Sequence, residues 1–237
     1  MTAERWAQSV RHQLGLGRLL PLGGPRDGAW ISEEAAEAVL RRAAGELRGV
    51  RLDALRIALA DPDTTDDPVV PPPPSALPPG PLRVTAEFAA TPGEPLPTTA
   101  ALVRTTLSAA ATELLGLAVA EVDLRVTALL DEEPEPLPVL PPEPPRAAEP
   151  DDADEVRVAS AALMVPGVAH LTGGLGRAAV HLVERHEEGA LPHRHARVEI
   201  AVDADHRASD VARQVRAAVT ESLPDHPTVA VLVTSVS

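Results

Sequence analysis

LRVTAEF (82–88) and ARVEIAV (196–202) are the stretches from which the fold is read. In the first, Leu82, Val84, Ala86 and Phe88 alternate with Arg83, Thr85 and Glu87. In the second, Val198, Ile200 and Val202 alternate with Arg197, Glu199 and Asp203. Successive side chains of a strand point to opposite sides, so each stretch predicts a strand with one buried and one wet face.

Working outward from both stretches gives the same order of patterns. A helical run ends in Gly49-Val50 before the first and in Gly167-Val168 before the second, where glycine suits the left-handed stop after a helix. A further alternating strand follows each stop, LDALRIAL (52–59) and AAVHLV (178–183). In the earlier of these, Leu55, Ile57 and Leu59 oppose Arg56 and Ala58. Downstream come amphipathic helices over 98–115 and 208–223. Val103, Leu107, Ala111 and Leu115 recur every fourth residue in one, and Val211, Val215, Val219 and Leu223 in the other. Each copy closes on a strand, VDLRVT (122–127) or VAVLVT (229–234). The opening helix of the first copy offers Val39, Leu40, Ala43 and Leu47 to a core, and Ser32 and Ser209 sit where helix N-caps are expected.

The expectation is an α+β chain of two tandem α-β-β-α-β units, each a three-stranded mixed sheet covered on one face by two helices. Residues 1–29 form an N-terminal extension with a short helix, and residues 30–130 the first unit, with a Pro-rich insertion at 61–81. Residues 131–154 form an acidic Pro-rich linker and 155–237 the second unit. A unit of about 80 ordered residues is marginal alone, so the two are expected to pack on each other or on another chain.

The net charge of −14 is uneven. Residues 61–81 hold four Asp and no base, and residues 131–154 hold nine acids against Arg146. The same stretches hold 17 of the 26 prolines. Such segments read as semi-rigid, solvated spacers, with Pro138 and Pro141 at the spacing of an SH3 ligand. Acidity opposes unspecific nucleic-acid binding. Only Trp6, Trp30 and Phe88 are aromatic, which argues against single-stranded nucleic acid, flat ligands and membrane interfaces. Cysteine is absent, which excludes disulfides and thiolate metal sites, and lysine is absent too, a skew read as that of a GC-rich bacterial genome. With no secretory signal and no apolar run of about 20 residues, a cytoplasmic protein without a membrane span is expected.

Chemistry-bearing residues are few. His181, His193 and His195 fall on the expected wet face of neighbouring strands, with His186 or Glu184 nearby, and three imidazoles so placed are a candidate zinc set. Arg197 beside them repels a cation, so a solvated polar face is the preferred reading and no metal is expected. Asp203, Asp205 and His206 combine acids and imidazole but read as a turn before a helix. The glycine clusters at 14–24 and 173–176 lack a phosphate-loop continuation. No nucleophile elbow is present, so no catalytic or cofactor-binding residue is assigned and the chain is expected not to be an enzyme. Trp6 to Leu20, with Arg5, Arg11 and Arg18, reads as a short basic amphipathic helix. The element order also resembles KH domains, but their G-x-x-G loop with basic flanks is missing.

A strand-to-helix entry at Trp30-Ile31-Ser32-Glu33 ahead of an Ala-rich helix, the Gly49-Val50 and Gly167-Val168 stops, and the Val-rich closing strands at Val122 to Thr127 and Val229 to Thr234 carry a further likeness. Over both units the chain resembles the alkaline shock protein family of bacterial envelope-stress proteins. It departs from that family in its Pro-rich insertion and in having no lysine. The resemblance implies a non-enzymatic scaffold or adaptor that works by protein–protein association near the cytoplasmic membrane. Its partners would be further copies, sibling family members or a small membrane-anchor protein. The alternative is a metal- or small-molecule-binding sensor using the histidine-bearing sheet face.

Overall fold

The structure, a computed structural model, describes residues 17–135, 138–173, 178–185 and 192–237. The described elements run β1 (Leu19–Pro21), β2 (Ala29–Ser32), α1 (Glu33–Gly45), β3 (Val50–Leu59), β4 (Leu82–Ala90) and α2 (Leu96–Ala109). A π-helical turn (Ala110–Leu115) and β5 (Val119–Leu129) follow. The remainder is α3 (Ala153–Leu163), β6 (Val168–Leu171), β7 (Val180–Arg185), β8 (His193–Val202), α4 (Ala208–Ser222) and β9 (Thr228–Val236). The chain is thus mixed α+β, with two mixed sheets.

The smaller sheet is β3-β4-β5, with β3 antiparallel and β5 parallel to β4. In the larger sheet β6 and β7 both lie antiparallel to β8, and β9 lies parallel to it. Each parallel pair is joined by a helical crossover, as parallel strands require. The larger sheet then departs from the three strands expected. β2 pairs parallel with β9, and β1 pairs antiparallel with β2, giving six strands. Trp30, Ile31 and Ser32, read as the start of the first unit, therefore belong to the sheet of the second. Four residues are too short to show a period, and their partner Val231 to Val233 lies about 200 positions away, so nothing local reports the pairing.

After β2 the chain returns to the first sheet through α1. Ser32 caps that helix, accepting from the Ala35 amide at 3.2 Å, and its own hydroxyl donates to the Thr234 carbonyl at 3.3 Å. α1 packs against both β3 and β9. Its adjacent arginines reach opposite ways, Arg41 to the Asp53 carbonyl of β3 at 2.9 Å and Arg42 to the Val236 carbonyl of β9 at 3.4 Å. This shared helix explains why Ala35, Ala36, Ala38, Val39, Leu40 and Ala44 are all buried, a wider stripe than a helix on one sheet needs. The helix-bearing sides of the sheets face each other, and one apolar core runs from Val84 and Phe88 to Val231 and Val233.

The helices stop before the glycines expected to end them, at C-caps Glu46 and Met164 that are both right-handed. Gly49 (φ +68°) and Gly167 (φ +90°) lie in the left-handed region four residues beyond α1 and α3. The carbonyl of each accepts the amide of the residue that follows the second strand, Thr91 in one case and Asp203 in the other, both at 2.9 Å. Ser209 is not the cap of α4. Arg207 occupies that position without a side-chain hydrogen bond to the helix amides, and Ser209 is buried one residue inside the helix. There its side chain fills the space left by Gly116, where a Cβ would fall 2.0 Å from the Ser209 hydroxyl. The Arg207 Nε bond to the Thr112 carbonyl, 3.1 Å, closes the same seam.

The Pro-rich stretches stay largely exposed, residues 61–67 fully so and the described linker residues exposed or half-exposed, yet both are tied to the larger sheet. In the insertion, Val70 is buried against Leu19, Trp30, Ala230 and Leu232 on the far face of the larger sheet. Leu77 donates its amide to the Leu19 carbonyl at 2.9 Å, and Leu19 donates to Ser75 at 3.2 Å. In the linker, the Pro142 carbonyl accepts from the Ser235 hydroxyl at 2.7 Å, and Ala147 donates to Leu171 of β6 at 3.2 Å. The cause is the far face itself. It presents apolar side chains, and a proline chain, already restricted in the unfolded state, loses little entropy in covering them. Helices therefore cover one face of this sheet and Pro-rich chain the other, and eight of the nine β9 residues are buried.

Candidate interaction surface

The smaller sheet has no such second cover among the described residues. Its outer face is exposed or half-exposed and is built by the alternation already noted. Arg56, Thr85 and Asp123 stand side by side across the three strands, as do Ala58, Arg83 and Glu121, and Glu87 stands beside Arg125. The charges pair across strands. Arg83 Nε lies 2.6 Å from Glu121 and 3.4 Å from Asp123, and Arg125 lies 3.2 Å from Glu87. Thr127 donates to Asp53 at 2.9 Å, and Arg51 holds the same carboxylate at 2.8 Å. The Arg51 hydrogen bond, opposed by partial burial and aided by Thr127, holds the Asp53 carboxyl below the usual range. Exposed pairs of this kind add little stability. They make a polar surface whose charges are matched internally and can be exchanged for those of a partner.

β5 lies at the edge of this sheet. Val126 and Leu129 are exposed on it, and Ala120, Glu121, Asp123, Arg125, Thr127 and Ala128 are exposed as well. Beside the sheet, the acidic linker crosses the end of α1 and leaves a groove of about 430 Å³. Arg41, Arg48 and Arg51 line it, opposed by Glu46, Glu133 and Glu135. It is concave but of mixed charge, and its Arg48–Glu133 pair at 3.4 Å is largely exposed.

The histidines lie elsewhere. His181, His193 and His195 share the outer face of the larger sheet, but β7–β8 pairing sets His181 beside Arg197, His193 beside Arg185 and His195 beside Val183. His195 is not on a wet face. It is 6% exposed, and its Nδ1 lies 2.9 Å from the Thr228 hydroxyl. Burial first, then the charges of Arg185 and Arg197, push its pKa down to about 4. Glu199, also read as wet, is fully buried, 3.8 Å from Arg197. Among the described residues no group of three or more His, Cys, Asp or Glu is disposed to hold a metal ion. His186 lies outside the described residues.

Asp203 and His206 form a turn, with the His206 amide donating to the Asp203 carbonyl at 3.0 Å, and the His206 ring packs over Gly167. Of the expected N-terminal helix, residues 6–16 lie outside the described residues, while Leu19 and Leu20 belong to β1 and Arg18 pairs with Glu33 at 3.0 Å. Gly174 to Gly176 also lie outside the described residues. No described helix is long and apolar enough to cross a membrane.

The residues that sequence reading missed are those whose role depends on cover. Trp30, Val70 and Leu77 carry the only signal that was available, large apolar side chains inside a polar proline-rich context. No family model and no curated protein matches the chain.

Proposed function

We propose that the chain is a non-enzymatic scaffold or adaptor of the envelope-stress type, made of two divergent copies of one α-β-β-α-β unit. It works by protein–protein association, and the second copy serves chiefly as the structural base for the first. Support for the duplication comes from the matching strand sense of β3-β4-β5 and β6/β7-β8-β9, and from the paired amide bonds to Gly49 and Gly167. Partners of the kind expected are further copies, sibling chains or a small membrane-anchor protein.

One observation carries the reading. The larger sheet is buried on both faces along β2 and β9, whereas the smaller sheet keeps an open outer face of alternating charge. A sheet built only for stability gains by covering that face, so its exposure favours a docking role.

The test is affinity capture from lysates with membranes retained. The wild-type chain is compared with Arg56→Glu/Arg83→Glu on the open face and with Arg157→Glu on α3 as a control. Specific partners should be lost in the first variant and kept in the control. Retention of the same partners by both variants would overturn the face assignment. Stoichiometric zinc uptake abolished by His195→Ala would replace the scaffold reading by the sensor.

A further inference from the structure

The two closing strands differ in one respect. β9 carries β2 on its far edge, in parallel, while β5 has no strand on its far edge among the described residues. Natural edges are commonly blocked by short length, proline, lysine or a bulge. β5 is 11 residues long and contains neither proline nor lysine. Its register against β4 shifts only near its two ends, leaving Glu121 to Val126 a regular run opposite Arg83 to Phe88. By contrast β3, at the other edge, is interrupted by a register shift between Leu52 and Leu55. A single described side chain guards the middle of the β5 edge, Arg104, whose Nε donates to the Val122 carbonyl at 3.2 Å.

The sequence of β5 is complementary to itself when reversed. Leu124 is the midpoint of Val119–Leu129. An antiparallel copy turned about a two-fold axis at Leu124 sets Val119 opposite Leu129, Ala120 opposite Ala128 and Val122 opposite Val126. It also sets Asp123 opposite Arg125, twice, and Glu121 opposite Thr127. Every apolar residue of the helix-side row meets an apolar residue, and the central charged positions meet their opposites. Cross-strand pairs of both kinds stabilise antiparallel ladders. The same rotation makes the contact isologous and therefore closed at two copies.

We propose that β5 is a homodimer interface. Two copies of this chain join β5 to β5, antiparallel about Leu124, and turn two three-stranded sheets into one of six strands. The inference deepens the scaffold reading by naming an occupant of the β5 edge. It can fail without that reading, because a chain that stays monomeric can still capture other proteins through the open face.

Sedimentation velocity of the full chain at low salt, from low to high micromolar concentration, tests the interface. Wild type should show a monomer–dimer equilibrium. Asp123→Arg and Arg125→Asp, each placing like charges opposite one another twice, should weaken dimerisation on the order of tenfold or more. The double variant Asp123→Arg/Arg125→Asp restores opposite charges and should recover it. Circular dichroism checks that each variant folds. A monomer throughout, a dimer indifferent to the single changes, or loss without recovery in the double variant would each overturn the proposal.

Discussion

The indole nitrogen of Trp30 donates to the carbonyl of Leu77 at 3.3 Å, which fastens the Pro-rich insertion to the far face of the six-stranded sheet. Trp30 is 1% exposed and packs with Leu19, Val70, Ala230 and Leu232. Trp30→Ala should therefore lower stability by about 3–5 kcal/mol, the range for deleting a buried aromatic. It should also release residues 61–81 to limited proteolysis. Chemical denaturation and mapping of the first cleavage site check both parts. A destabilised protein first cut elsewhere would count against the insertion being held by this contact.

His195 makes stability depend on pH. Its pKa in the folded chain is about 4, whereas an unfolded histidine titrates near 6.5. The unfolded chain therefore binds the extra proton between these values. Its contribution is complete above about pH 6.5, declines as pH falls, and is exhausted near pH 4. Between pH 7.5 and pH 5 the loss should be about 2 kcal/mol. Denaturation of wild type and His195→Gln at both pH values isolates this share. Equal slopes in the two proteins would show that His195 does not titrate as its burial requires.

Arg194 joins three elements. Its guanidinium grips Asp225 with two bonds of 2.6 and 2.5 Å and Asp154 with a third of 2.6 Å, tying the start of β8 to the turn before β9 and to α3. The hydrogen bonds to Asp225 and Asp154 raise its pKa, and Asp225 is correspondingly lowered. All three side chains are about one-third exposed, so screening limits the effect. Arg194→Met should cost about 1–2 kcal/mol. Arg194→Lys should recover less than half, because an ammonium cannot reproduce the planar fork. Full rescue by lysine, read from urea midpoints, would reduce the clamp to a simple charge.

The two left-handed glycines, Gly49 and Gly167, should differ in tolerance. A Cβ on Gly167 would meet the His206 ring and Val211 at 2.7 Å, while on Gly49 its near neighbour would be the Thr91 hydroxyl at 2.4 Å. A threonine rotamer can swing aside, but the Cβ of His206, fixed to the backbone at 2.9 Å, and the buried Val211 cannot. Both alanine variants bear the left-handed strain of about 1–2 kcal/mol. Gly167→Ala should lose a further 1 kcal/mol or so from crowding. Comparing the two melting curves decides the ranking.

Local chemistry determined much of this protein from sequence. The strands around Val84 and Val198 follow from strict alternation, since a residue's side of a strand depends on parity alone. The left-handed turns at Gly49 and Gly167 follow because only glycine enters that region without strain, and the cap at Ser32 because a hydroxyl before a helix has an orphan amide to bind. Tertiary structure alone decided the rest. Parity says that His195, Arg197 and Glu199 share a face. It cannot say that His195 and Glu199 are buried there while Arg197 stays partly exposed, because burial depends on what other parts of the chain lie over that face. Trp30 to Ser32 resemble a strand entering a helix, but a strand of four residues does not say which sheet it joins, and pairing with Leu232 and Val233 is a contact between distant segments. Ser209 reads as a cap by position, yet the gap beside Gly116 takes its side chain instead. Periodicity reports which way a side chain points, and only packing between remote parts of the chain determines what it meets there.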